Sequence, residues 1–231
     1  MLEVLGVKKK YKNGIEALKG VSLKIETGKK VAIFGENGAG KTTLLKIIAT
    51  FLLPDEGTVT LEGVNIIKNN KYARKNITIS TGMERSFYYR LTVKQNLEFF
   101  GMLNGLVGKE LKKKVEKVIE KTGLEEYGKI RYMELSKGLK RRLDIARALL
   151  KEAKVYIFDE PCAGIDIKTR GGIHKIVNEL GKEKIVIFAT HEIEDLKKMD
   201  RIIAIHNGIK VGELLVHENR DCVENFVKGV C

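Results

Sequence analysis

Residues 35–42 read Gly-Glu-Asn-Gly-Ala-Gly-Lys-Thr, and this stretch decides the fold. It is a full match to G-x-x-x-x-G-K-[ST], a loop whose backbone N–H groups cradle a polyphosphate. The apolar run Val31-Ala32-Ile33-Phe34 precedes it and a helix-like segment, Thr42 to Ala49, follows. Strand, loop and helix are the context the pattern needs. Glycines at 35, 38 and 40 let the main chain wrap phosphates with its N–H groups inward, where side chains would block the approach. The expected nucleotide contacts are Gly35, Glu36, Asn37, Gly38, Ala39, Gly40, Lys41, Thr42 and Thr43. Lys41 reaches the β- and γ-phosphates, Thr42 offers its hydroxyl to Mg²⁺, and the helix points its positive end at the anion.

Outward from this loop, short apolar segments alternate with turns. Val21, Leu23 and Ile25 alternate with Ser22 and Lys24, the pattern of a half-exposed strand, and residues 2–25 read as short strands. Thr27-Gly28 and Leu53-Pro54-Asp55-Glu56-Gly57 are turns, the second followed by alternation at Val59 and Leu61. Residues 90–151 read as mostly helical. Thr92 and Gln95 form a capping-box pattern, and a helix over 109–122 stops near Gly123. Leu139, Leu143, Ala146 and Leu150 fall on one helical face. Val155-Tyr156-Ile157-Phe158 and Ile185-Val186-Ile187-Phe188-Ala189 are continuous apolar runs, suited to parallel strands buried on both faces. Asn207-Gly208 between two apolar runs predicts a hairpin.

Composition limits the remaining choices. The chain has 231 residues, 43% hydrophobic and 32% charged, enough for a sizeable core. No apolar run approaches the roughly 18 residues that span a bilayer, and the N-terminus lacks a signal-peptide apolar region. The expectation is a soluble, intracellular chain. Cys162, Cys222 and Cys231 form no C-x-x-C pair and fit a reducing compartment; Cys162 is expected to be a small buried residue. The net charge of +13 favours anionic partners such as nucleotides, nucleic acid or a membrane surface. Lys112-Lys113-Lys114, however, lies on an amphipathic helix and reads as its solvated face.

Asp159-Glu160-Pro161, directly after a buried apolar run, supplies the second half of a nucleotide site. Asp159 at the strand's carboxyl end can hold Mg²⁺ through water, and Glu160 is placed to polarise an attacking water as general base. Leu135-Ser136-Lys137-Gly138-Leu139 opens a helix. Ser136 there is an N-cap, and hydroxyl, glycine and helix N-terminus together also make an anion site.

Taken in order, these motifs resemble the nucleotide-binding subunit of an ATP-binding-cassette (ABC) transporter, over nearly the whole chain. Residues 135–149, LSKGLKRRLDIARAL, resemble the L-S-G-G-Q signature and its helix, with Lys137 in place of the third-position glycine and Leu139 in place of the glutamine. The resemblance implies that Ser136 and Gly138 contact the γ-phosphate of ATP held by a facing subunit. Lys137 either adds charge near that phosphate or is simply solvated. By the same resemblance Tyr11 stacks on adenine, His191 contacts the γ-phosphate, and Asp166 of Ala163-Gly164-Ile165-Asp166 crosses to the partner, with Ile167 replacing the usual proline. The family's glutamine near residue 83 is missing: Met83 stands there with Glu84 beside it, and either Glu84 or water takes the polar role. The stretch around Glu84 to Thr92 resembles a branch of ABC-2-type exporters whose membrane subunit is a separate chain.

The implied fold is α/β: a P-loop NTPase of ABC ATPase type. It has a mixed or parallel sheet core, an N-terminal antiparallel β subdomain and a helical insert. Residues 1–84 and 152–231 form the ATP-binding core within one cassette of 1–231, and about 85–151 form the helical signature subdomain. The implied function is an ATP-binding and ATP-hydrolysing transporter subunit, of an exporter, using ATP and Mg²⁺. It would form a homodimer or paralogous heterodimer that drives separate transmembrane permease subunits, peripheral on the inner face of the membrane. A non-transport ABC ATPase acting on ribosome or DNA is the alternative that the charge permits. Such relatives usually carry two cassettes or a long coiled-coil insert, and the span between Lys41 and Asp159 is too short for such an arm. A subunit that binds ATP without turnover is disfavoured by the intact Asp159-Glu160 pair.

Overall fold

Alternation builds the first sheet. In strands β1 (Leu2–Lys10) and β2 (Glu16–Ile25), Leu2, Val4, Val7, Val21, Leu23 and Ile25 are buried, and Ser22 and Lys24 face solvent. The two pair antiparallel, Leu2 opposite Ile25 and Val4 opposite Leu23. On its other edge β1 pairs with β4 (Glu56–Leu61), and β5 (Val64–Asn65) completes the order β2-β1-β4-β5. The computed structural model describes residues 1–82, 87–216 and 222–230.

The second sheet comprises β3 (Lys30–Phe34), β6 (Ile77–Ser80), β7 (Val155–Asp159), β8 (Ile185–Thr190), β9 (Arg201–His206) and β10 (Ile209–Leu215), in the order β10-β9-β3-β8-β7-β6. Strands β9, β3, β8 and β7 are parallel, and β7 and β8 are buried along their whole length, as their unbroken apolar runs require. β9 and β10 are antiparallel, joined through Asn207 and Gly208, both at positive φ (48° and 77°). This is the backbone that Asn-Gly hairpin turns adopt. Helix α1 (Lys41–Ile48) puts Leu44, Leu45, Ile47 and Ile48 into the same core as Ile33, Ile157 and Ile187. Burying such a side chain stabilises by about 1.5–3 kcal/mol, so the helix that carries the phosphate loop is anchored along most of its length.

The remaining helices are α2 (Asn70–Asn76), α3 (Val93–Leu103), α4 (Gly108–Thr122), α5 (Lys137–Leu149), α6 (Ile167–Gly181), α7 (Ile193–Leu196) and α8 (Cys222–Val230). The Thr92–Gln95 capping box opens α3, and Gly123 ends α4 in the left-handed region. Lys112 and Lys113 face outward while Val115 and Val118 are buried. Cys162 is buried. Among the described residues no helix is long and apolar enough to cross a membrane.

The chain divides into two compact units: Met1–Ile79, Ala153–Glu160 and Asn178–Cys231 in one, Ser80–Glu152 and Pro161–Val177 in the other. Residues 161–177, which the sequence assigns to the flanking core, group with the helical unit. One contact within that unit is from Arg142, which donates to the Thr169 hydroxyl at 3.2 Å. Gly138 adds to it: a Cβ there would lie 3.3 Å from that hydroxyl and 3.5 Å from Asp166 Oδ2.

Candidate functional site

Parallel register brings three separate segments to one edge of the sheet. Phe34 at the end of β3 lies beside Thr190 of β8, and Asp159 at the end of β7 lies beside Ala189. Gly35, Glu160 and His191 are therefore the next residues outward at the carboxyl ends of three neighbouring strands, where open α/β sheets bind ligands. The Glu160 amide donates to the Ala189 carbonyl at 3.0 Å and fixes this exit.

Gly40 caps α1 at φ 106°, and a Cβ there would stand 2.5 Å from the Ala17 carbonyl oxygen, so only glycine fits. Lys41 follows, 5% exposed. Its Nζ donates to the Gly35 carbonyl at 2.6 Å and the Glu36 carbonyl at 3.0 Å, and lies 3.4 Å from Glu160 Oε1. The loop borders a cavity of about 630 Å³ that is also lined by Tyr11, Thr42, Thr43 and Glu160. The hydroxyls of Tyr11 and Thr43 are hydrogen-bonded at 3.1 Å, which ties the aromatic ring to α1.

Glu160 sits at φ 50°, a left-handed conformation that costs a non-glycine residue about 1–3 kcal/mol and recurs at functional sites. Its Oε2 lies 2.9 Å from His191 Nδ1. Asp159 is 7% exposed, and its Oδ1 is buried without a hydrogen-bond partner among the described residues. Burial pushes its carboxyl above the usual range; the Thr42 hydroxyl opposes this, the Glu160 charge adds to it, and Lys41 and Lys46 pull it back down. A buried, unsatisfied carboxylate oxygen beside a threonine hydroxyl is the donor set a hard divalent cation takes, so these residues fit Mg²⁺.

That shift has a stability consequence. A folded-state pKa above the unfolded one means the native chain holds its proton longer. Native stability therefore declines as pH rises through the ordinary carboxylate range and is fully reduced above the raised pKa. In metal-free buffer Asp159→Asn should raise the melting temperature at pH 7, by about 2–4 °C per kcal/mol of relieved desolvation, and give no gain at acid pH. Thermal melts across pH check this; an equal shift at every pH would contradict it.

Of the residues the sequence singles out, Tyr11, Glu36, Asn37, Gly38, Gly40, Lys41, Thr42, Thr43 and Glu160 line one cavity. Gly35 and Ala39 are buried in the loop's scaffold. Ser136, Gly138 and Asp166 belong to the helical unit. There Ser136 accepts from the Leu139 amide at 3.3 Å as N-cap of α5, and Asp166 accepts from the Thr169 amide at 2.9 Å in the first turn of α6. That bond and the neighbouring Thr169 hydroxyl hold the Asp166 carboxyl below its usual range. Met83 and Glu84 lie outside the described residues. Sequence reasoning missed Asn13, Ile15, Glu16, Ala17, Lys19 and Asn207, which also line the cavity. No motif marks them, and Asn207 carries only a turn signal.

Main-chain amides gathered at a strand-to-helix turn, with carboxylates at the end of a neighbouring strand, mark the P-loop nucleotide-binding class of α/β proteins. Within that class residues 18–163 match the ABC transporter family, and the chain belongs to it. It is 37% identical to the ABC transporter ATP-binding protein NatA of Bacillus subtilis over 85% of this chain and 81% of that one. It is 35% identical to the doxorubicin resistance ATP-binding protein DrrA of Mycobacterium tuberculosis over 93% of this chain and 66% of that one. Its fold superposes with a TM-score of 0.86, at 29% identity, on the dimeric post-hydrolysis state of the ATP-binding cassette MJ0796 bound to ADP and Pi, covering 94% of this chain and 99% of that one.

Proposed function

We propose that the chain is the ATP-binding and ATP-hydrolysing subunit of an exporter-type ABC transporter. The observation that carries this is the gathering of Lys41, Thr42, Asp159, Glu160 and His191 at one sheet edge beside a nucleotide-sized cavity. The loop amides and Lys41 bind the β- and γ-phosphates, Tyr11 stacks on the adenine, and Thr42 and Asp159 hold Mg²⁺, which supplies charge neutralisation on the phosphates. Glu160 takes the proton of the attacking water and His191 steadies the γ-phosphate. Two copies complete each site, with Ser136 and Gly138 of one facing the nucleotide of the other and Asp166 at the same contact.

Relatives named for doxorubicin resistance and for Nod factor export support the direction of transport. The solved structure of cbiO1 from Clostridium perfringens, part of the transporter complex cbiONQ, supports a partnership with membrane subunits; it is 30% identical with a TM-score of 0.81. Separate permeases would dock around residues 82–105, where Tyr88, Tyr89, Met102 and Leu103 expose apolar surface. Through them the subunit sits peripherally on the inner face of the membrane, while the rest of the chain faces the cytoplasm. Affinity purification from detergent-solubilised membranes of the source cells tests this. Co-recovery of a multi-helix membrane protein whose addition changes the ATPase rate is expected; recovery of ribosomes or DNA, with no such protein, overturns it.

A further inference from the structure

The helical unit contains a buried carboxylate that the nucleotide chemistry does not use. Asp144, 3% exposed, lies midway along α5. Its Oδ2 accepts from the Ser80 hydroxyl at 2.5 Å and from the Gly82 amide at 2.9 Å, and its Oδ1 accepts from Arg147. Ser80, itself 3% exposed, is the last residue of β6. Gly82 is at φ +63°, a left-handed backbone conformation that favours glycine and that turns its amide toward Asp144. Arg147 extends the network: its guanidinium lies 4.9 Å from the Phe87 ring and 5.3 Å from the Phe100 ring of α3.

A buried ion pair is seldom the most stabilising choice for an interior, since apolar side chains of the same volume do as well or better. What a carboxylate with three donors does supply is one permitted geometry. Asp144 is two turns on from Ser136, about 12 Å along the axis at 1.5 Å per residue, so it fixes both the rotation and the axial position of α5. The helix end needs such an anchor. Lys137, Lys140 and Arg141 crowd its start, no acidic residue lies in its first turn, and cations there oppose the helix's own positive end.

We infer that Asp144 is the positioning residue for the N-terminus of α5. It locks the helix to Ser80 and Gly82 of the same unit, so that Ser136 and Gly138 are presented in one fixed arrangement to the facing subunit's phosphate. This rests on the two-copy reading above. The consequence is a separation of effects: binding at a chain's own phosphate loop should not depend on Asp144, whereas turnover in the closed pair should.

Asp144→Asn, Ser80→Ala and the double variant test it, each checked for folding by thermal melt. Binding of a fluorescent ATP analogue to dilute protein gives affinity, and phosphate release against protein concentration at saturating ATP gives kcat. Asp144→Asn should keep Kd within about twofold and lower kcat about 10- to 100-fold, the scale that misplacement of a reacting group produces. Ser80→Ala, which leaves the Gly82 and Arg147 bonds in place, should give a smaller loss. The double variant should be no slower than Asp144→Asn alone, because the two groups form one interaction. Should Asp144→Asn fail to fold, Ser80→Ala carries the test by itself. Folded variants turning over at the wild-type rate, or Kd and kcat failing together, overturn the inference. Wild-type turnover that does not depend on protein concentration removes the two-copy reading, and this inference with it.

Discussion

Replacing Glu160 with Gln is expected to lower turnover at saturating ATP by about 10²–10⁴-fold, the usual contribution of a positioned general base. Nucleotide affinity should be kept or modestly raised. The amide keeps the side chain's size and its reach toward His191 Nδ1, 2.9 Å from Oε2 in the wild type, but it cannot take a proton. It also removes a negative charge 3.4 Å from the Lys41 ammonium, freeing that cation for phosphate. ATP should therefore accumulate uncleaved, and the closed pair with it. Phosphate release and size-exclusion chromatography with and without ATP measure both. Turnover within threefold of wild type would remove Glu160 from the chemistry.

Replacing Lys41 with Ala should have the second largest effect, and on binding. Truncating one member of a buried, hydrogen-bonded charge pair costs about 2–5 kcal/mol, roughly 30- to 5,000-fold in affinity. The side chain is 5% exposed and also holds the Gly35 and Glu36 carbonyls, so the loop loses an internal brace together with its phosphate ligand. Calorimetric titration with ATP and Mg²⁺ is the measurement, paired with a thermal melt. An unchanged Kd would mean that the loop is not the phosphate site.

The fold was legible wherever a local pattern has one physical outcome. Unbroken apolar runs at 155–158 and 185–189 became strands buried on both faces, because a parallel sheet covered on both sides leaves no polar face to encode. Thr92 and Gln95 became a reciprocal cap, and Asn207-Gly208 a hairpin turn, since each depends on neighbouring atoms alone. Residues 161–177 were less legible. They group with the helical unit, where Thr169 meets Arg142, a pairing that no periodicity encodes.

By itself the sequence determined the chemistry on offer: a glycine loop able to face amides inward, a lysine and threonine at its end, and an acidic pair closing an apolar run. These are short-range facts, since φ freedom, side-chain reach and strand burial are properties of a few adjacent residues. Only the tertiary structure decided which distant groups meet. Strand order set Asp159 beside Ala189 and Phe34 beside Thr190, packing brought Tyr11 to Thr43, and α5 laid Asp144 against Ser80 and Gly82. Such pairings are fixed by long-range register and by the exclusion of water from a shared core, and neither is written in any one segment.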